Sequence, residues 1–215
     1  MLQIVIILWR IGEIQDTLSQ GVIPVVTSSY EELLDQLHPD VVVDAILAKK
    51  NVGTTRLDAP FVIGVGPGFS AGRDVNVVIE TMRGHNLGRC IYDGEAQPNT
   101  GIPGNVGGYT HERVIHSPKA GVFTAKRHIG DEVQANEVIG YVDEEPVRAK
   151  ITGTLRGILK TGLIVSDHFK LADVDARCEE SHCYSISDKS LAVGGGVLEA
   201  VTAWDYERNK DGKHL

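Results

Sequence analysis

The sequence predicts an α/β plus β protein: a segment of parallel sheet, a glycine-rich β region, a duplicated β module and a closing helix. Three observations carry this. Short β-branched runs flank a cappable amphipathic stretch near the start, glycines concentrate in the middle, and residues 117–174 repeat themselves at a fixed offset. With 215 residues, 42% hydrophobic and 23% charged, the chain can bury a substantial core and has the composition of a globular protein.

The first 65 residues read as a partial Rossmann-like α/β region. Residues 22–26 and 41–47 are β-branched runs of the kind buried in parallel sheets. Between them, Ser28 or Ser29 can cap a helix through Glu31, Glu32, Leu33, Leu34 and Leu37, with acids in its first turn and Pro39 after its end. Together these make one βαβ unit. A further strand, Phe61 to Val65, feeds the loop Gly64-Val65-Gly66-Pro67-Gly68. That loop is not a dinucleotide fingerprint, because its spacing is G-x-G-x-G and residues 75–79 after it are strand-like, where the fingerprint requires a helix.

Residues 66–116 form the glycine-rich β region with a candidate ligand crevice. Lys49, Lys50, Asn51, Gly66, Gly68, Arg83, His85, Asn99 and Thr100 are its candidate lining. Glycine amides approach a ligand closely, Arg83 can grip a phosphate or carboxylate bidentately, and a lysine adds a mobile charge. Asp44 and Glu80 are candidate orienting groups or acid and base. Read structurally, Asp44 caps the turn after its strand and Glu80 is an exposed strand residue.

Residues 117–178 contain a repeat that appears on sliding the chain by 32 positions, which lays Gly121 on Gly153, Phe123 on Leu155, Gly130 on Gly162, Val133 on Val165, Ile139 on Leu171 and Val142 on Val174. Two half-motifs, each too small to enclose a core, are expected to interlock about a pseudo-twofold axis. The phrasing Gly130-Asp131-Glu132-Val133 through Ile139 resembles the barrel-sandwich hybrid of biotinyl and lipoyl domains. Those domains carry an attachment lysine at the hairpin tip. Here the tip reads Asp143-Glu144-Glu145-Pro146, so neither biotin nor lipoyl attachment is expected, and the module reads as a scaffold or docking unit.

Residues 179–215 read as a strand at 183–186, a helix starting at Ser187 or Asp188 and running toward Trp204, and a charged tail from Tyr206 that frays. Gly194-Gly195-Gly196 within the helix costs roughly 1 kcal/mol per glycine and implies a close approach there.

Several function classes fall away. A net charge of −8 gives no general basic face, so no nucleic-acid partner is expected. The apolar run at residues 2–8 is too short to span a bilayer and lacks the marks of a secretory signal, and Cys90, Cys178 and Cys183 read as free thiols, so a cytoplasmic location without membrane association is expected. Cys178, His182 and Cys183 match no metal-site spacing, and with 182 and 183 adjacent on a strand no metal site is expected. His85, His111 and His116 are dispersed among the loops. Walker A, nucleophile-elbow and S-x-x-K patterns are absent.

The order Lys49-Lys50-Asn51, Gly64-Val65-Gly66-Pro67-Gly68, Met82-Arg83-Gly84-His85 and Pro98-Asn99-Thr100-Gly101 continues through Gly107-Gly108-Tyr109-Thr110-His111-Glu112-Arg113 and Pro146-Val147-Arg148-Ala149 to Gly194-Gly195-Gly196. It resembles the accessory-protein family of the selenium-dependent molybdenum hydroxylase system, over residues 22–200. The resemblance implies a role in maturing enzymes related to xanthine dehydrogenase, with the molybdenum hydroxylase as client partner and the molybdenum cofactor or a precursor as the anionic small molecule handled. It transfers no catalytic residue. That family begins with a glycine-rich strand-to-helix turn of nucleotide-binding type, whereas this chain opens Met1-Leu2-Gln3-Ile4-Val5 with a single Gly12 nearby, a departure that puts a nucleotide site of that kind in doubt. Two other readings stand beside it: an enzyme for a small anionic metabolite with Glu80 or His85 as base, and an interaction module without a small ligand.

Overall fold

The structure, a computed structural model, describes residues 11–211. The opening run at residues 1–10 lies outside the described residues. The chain divides into two compact units, one running to Pro98 and resuming at Ala192, the other being the inserted stretch Asn99–Leu191. The four segments read from the sequence thus map onto two bodies: residues 66–98 go with the parallel sheet, residues 99–116 with the repeat, and most of the last helix with the first unit.

The first unit contains α1 (Ile14–Ser19), α2 (Tyr30–Leu37), β1 (Val41–Asp44), β2 (Phe61–Val65), β3 (Ser70–Ala71), β4 (Val77–Ile79), β5 (Cys90–Ile91) and β6 (Gly94–Glu95). Helix α2 starts where the capping residues put it, with the Ser29 side chain accepting from Glu32 N at 3.2 Å, and it stops at His38 in the left-handed conformation before Pro39. The main sheet has the order β1-β2-β4-β5, with β1, β2 and β4 parallel and β5 antiparallel.

Two sequence expectations fail here. Residues 22–26 make only a single bridge at Val25. Pro24 has no N–H to give a ladder, and among the described residues no strand and no βαβ unit precede β1. The strand expected over 41–47 ends at Asp44, whose carboxylate turns the chain. No helix forms in residues 45–60, which cross from β1 to β2.

Every residue of β2 is buried because the sheet is covered on both faces. Phe61, Ile63 and Val65 point to one side with Val77 and Ile79, whereas Val62 packs on the other with Phe69, Ala71, Val75, Val78 and Ala96. Helix α3 (Asp188–Asp211) covers the first side through Val193, Val197, Ala200, Val201 and Trp204. Ser187 caps it, accepting from Ser190 N at 3.1 Å. Near the other end, Trp204 stacks on Phe61 (centroids 5.3 Å apart, planes 8° apart). The Arg208 guanidinium lies 4.5 Å from the Trp204 ring centroid and bonds Asp40 at 2.7 Å. These contacts carry the helix through residues 206–211, where the sequence suggested fraying.

The second unit holds β7 (Val114–His116), β8 (Gly121–Ala125), β9 (Glu132–Val133), β10 (Val138–Val142), β11 (Glu145–Arg148), β12 (Gly153–Ile158), β13 (Ile164–Val165) and β14 (Lys170–Asp175). They form two four-stranded sheets, β11-β10-β8-β13 and β7-β14-β12-β9, sharing one core. Among the described residues no closed barrel forms; the arrangement is a sandwich. Moving each strand of the first half to its counterpart in the second (β7 to β11, β8 to β12, β9 to β13, β10 to β14) converts one sheet order into the other. Each sheet borrows strands from both halves, which is why neither half encloses a core alone. Hydrogen bonds repeat with the strands. Gly130 N bonds Leu155 O at 2.9 Å and Gly162 N bonds Phe123 O at 2.8 Å, while Asn136 N to Ala149 O and His168 N to Ser117 O form a second related pair. Phe123 and Leu155, the paired centres of the core, are both 0% exposed.

The strand expected at 183–186 is absent: Glu180–Cys183 is a 3-10 turn. The Glu179 carboxylate accepts from Ser181 N and turns the chain there.

Candidate functional site

Three parallel strands end at the same edge of the first unit's sheet, since Asp44 pairs with Gly64 and Val65 with Ile79. Asp44, Gly66 and Glu80 therefore crown this edge, the side of an open α/β sheet on which ligands bind. The loops leaving it are tied to one another. Gly68, at φ +111°, sits so close to the Lys50 backbone that a Cβ there would fall 2.5 Å from Lys50 Cα. Only glycine fits that position. Two residues earlier, the backbone at Gly66 lies against the Thr81 side chain, with its N–H bonded to Ile79 O at 2.9 Å. The loops after β1, β2 and β4 thus form a continuous rim from Lys50 through Gly68 and Gly66 to Thr81.

Asp44 and Glu80 hold this rim in shape. Asp44 accepts from Ile46 N at 3.2 Å and from the buried Thr54 hydroxyl at 2.6 Å, in keeping with the turn-capping alternative. Glu80, by contrast, is not an exposed strand residue. It is 2% exposed, and its two oxygens accept from Met82 N (2.7 Å) and Gln97 N (2.9 Å), drawing residues 82 and 97 to the strand end. Buried carboxylates so engaged organise backbone amides.

The loop after β1 is clamped further. Asn51 shapes the turn with its side chain, donating to Thr54 O at 2.7 Å and accepting from Gly53 N at 2.9 Å. Leu47 (φ 56°) and Lys49 (φ 63°) are both left-handed, a conformation costing about 1–2 kcal/mol per non-glycine residue. At the far end Tyr30 Oη donates to Asp58 at 2.6 Å and Thr55 Oγ1 donates to the same carboxylate at 2.6 Å. Burial and then the Asp58 carboxylate push the Tyr30 phenol upward. For Asp58 burial acts upward, but the bonds from Thr55 and Tyr30 outweigh it and hold the carboxyl below its usual range.

Of the remaining candidates, Lys49, Lys50, Arg83 and His85 are exposed on the loops of the first unit, Arg83 two residues past Thr81. Asn99 and Thr100 are exposed at the start of the second unit, where Thr100 Oγ1 accepts from Ile102 N at 3.2 Å. The structure thus joins Lys50, Gly68, Gly66 and the approach to Arg83 in one unit and puts Asn99 and Thr100 in the other. Thr81 and Thr54 escaped the sequence reading, and no local motif marks either.

His182 Nδ1 is buried without a hydrogen-bond partner, 4.0 Å from Asp175 Oδ2, whereas Cys183 Sγ is 3.8 Å from Leu155 O. The two side chains address different groups although they lie on a 3-10 turn and not a strand. No group of three His, Cys, Asp or Glu side chains able to hold a metal ion occurs among the described residues. Burial, then the nearby cations Lys150, His168 and Lys170, depress His116. No helix among the described residues is long and apolar enough to cross a membrane.

Over 182 residues the chain is 50% identical to the uncharacterized protein YqeB of Escherichia coli (strain K12). The matched stretch is 85% of this chain and 34% of YqeB, so the chain spans about a third of the length of the curated relative it matches. No family profile matches the chain. Among solved structures, an aspartoacylase family protein from Mesorhizobium loti aligns with 40% of this chain and 27% of its own at 17% identity, TM-score 0.28. The ectoine utilization protein EutE (DoeB) from Ruegeria pomeroyi, in a product-bound structure, aligns with 39% of this chain and 27% of its own at 17% identity, TM-score 0.27. Likeness at those scores carries no argument about fold or activity.

Proposed function

We propose that this chain is part of an accessory protein that matures selenium-dependent molybdenum hydroxylases, taking an anionic cofactor or precursor at the carboxyl edge of its parallel sheet. The observation that carries the reading is the continuous rim Lys50–Gly68–Gly66–Thr81, where glycine loops meet the Lys50 backbone at the end of the sheet on which such folds bind ligands, with the exposed Lys49, Lys50 and Arg83 on the same loops. A molybdenum cofactor has a phosphate and a polar pterin, and both suit loop amides with lysine and arginine. Glu80, engaged by two amides, serves this reading as a scaffold and gives little support to a role as base. The first unit is read as a reduced Rossmann-like sheet. The second is read as a barrel-sandwich hybrid without an attachment lysine, a reading supported by strands exchanged between repeats and by the Asp143-Glu144 turn at the tip.

Native mass spectrometry of the chain purified from cells making a molybdenum hydroxylase tests this. A bound pterin, selenium species or phosphate-bearing precursor is expected on the wild type and is lost or strongly reduced in Arg83→Ala, with the fold retained by circular dichroism. An unloaded wild-type chain, together with full hydroxylase activity in cells lacking it, refutes the proposal.

A further inference from the structure

The loop between β1 and β2 presents a combination that the ligand rim does not explain. From Ala45 to Leu57 it carries three cations, Lys49, Lys50 and Arg56, and no carboxylate, in a chain of net charge −8. The acids bounding the loop are turned to its own fabric: Asp44 to Thr54 and Ile46, Asp58 to Thr55 and Tyr30. Arg56 donates to Gly72 O. Among the described residues, neither Lys49 nor Lys50 has an ion-pair partner. Beside these lysines stand exposed aliphatics, Ile46 at 66%, Leu47 at 54% and Val52 at 56%. The loop is also closed at its neck by the 2.6 Å bond between Thr54 and Asp44, and is braced from behind by Gly68 against the Lys50 backbone.

We infer that this loop is a docking surface for an acidic, apolar-flanked segment of a partner protein. Charge complementarity selects the sign of the partner, because unpaired lysines on an acidic protein attract carboxylates and repel little of their own neighbourhood. The aliphatic side chains select a partner that also offers apolar contact, which a free small anion does not. Rigidity selects a protein over a lipid surface. Leu47 and Lys49 are left-handed within a loop tied down at Ile46 and Thr54 by Asp44, at Gly53 and Thr54 by Asn51 and at Lys50 by the Gly68 backbone, and such preorganisation serves recognition of a fixed pattern, whereas a fluid bilayer demands none. The inference does not rest on the maturation reading, which concerns the ligand and is read by a different measurement.

Random peptides displayed on phage and selected on the purified full chain, then synthesised and measured by fluorescence anisotropy, test it. Selected peptides are expected to pair Asp or Glu with Leu, Ile or Phe. Their affinity should fall about tenfold or more in Lys49→Glu/Lys50→Glu and in Ile46→Ser, and weaken with salt. Leu47→Asn, which suits the left-handed backbone, should also weaken binding while leaving the melting temperature unchanged or raised, separating contact from folding. Lys160→Glu, exposed in the second unit, should bind as the wild type does. The proposal is overturned by no enrichment over a Lys49→Glu/Lys50→Glu control, by enriched peptides indifferent to these substitutions, by inorganic phosphate binding that survives Ile46→Ser with no peptide binding, or by binding only to phosphatidylserine vesicles.

Discussion

Asp143 and Asp175 occupy equivalent places 32 positions apart, but different surroundings give them different weight. Asp143 is exposed and accepts from Val122 N and Lys119, bonds that hold its carboxyl below the usual range. Asp175 is 2% exposed, and Arg177 grips both its oxygens, at 2.9 and 2.6 Å, with Arg156 3.5 Å away. The Arg177 bonds, working against burial, bring its pKa down from 3.8 to about 2. A carboxyl depressed on folding contributes stability that is complete above its unfolded pKa and is lost as pH falls through the folded one. Asp175→Asn is therefore expected to cost about 1–2 kcal/mol near neutral pH, discounted because Arg177 is half exposed. In thermal melts the gap to the wild type should close between 3.8 and about 2. Asp143→Asn should have a smaller effect. The repeat made the equivalence of these aspartates legible, but not the burial of one, which has Arg177, Arg156 and, from the turn at Glu180–Cys183, His182 around its carboxylate.

At the scale of elements, the three glycines of α3 divide. A Cβ on Gly196 would fall 2.1 Å from Gly88 O, while Gly194 and Gly195 have nothing within 4 Å. The helix meets the Gly88 backbone at one glycine only. Gly196→Ala is expected to destabilise by about 1–3 kcal/mol through overpacking. Gly194→Ala should stabilise by roughly 0.5–1 kcal/mol, as alanine replaces glycine in an open helical position. Chemical denaturation of the two variants reads both signs, and equal effects would mean the Gly88 contact is not what holds position 196 to glycine. The sequence announced a close approach without saying which glycine makes it, since that depends on residues 108 positions apart in the chain. Elements with local determinants were readable: the Ser29 cap fixed α2, and five apolar residues in a row gave β2. The runs at 22–26 and 183–186 looked equally strand-like, but Pro24 denies one its ladder and the Glu179 turn coils the other. For the candidate site, Gly66 and Gly68 were visible as glycines. Their neighbours Thr81 and Lys50 were not assignable, because nothing local encodes a contact between loops from different strands.

For the whole molecule, the insertion leaves each unit with a core of its own. All the buried side chains of the sandwich core, from Ile115 to Val174, lie within the inserted stretch, whereas the cores on either side of the parallel sheet draw on residues before Pro98 and on α3. Pairing between β8 and β13, β9 and β12, and β7 and β14 joins the two halves of the repeat, so the sandwich folds as a whole or not at all. Residues 99–191 made alone are therefore expected to give a dispersed amide spectrum and one cooperative unfolding transition. Because Phe123 and Leu155 are related by the repeat and equally buried, Phe123→Ala and Leu155→Ala should each remove about 2–5 kcal/mol, and each should weaken both sheets. Hydrogen exchange separates the possibilities. Loss of protection spread over β8 and β12 alike in either variant follows from interlocked halves, whereas loss confined to the mutated half would mean that the halves fold separately and that strand exchange between them contributes little.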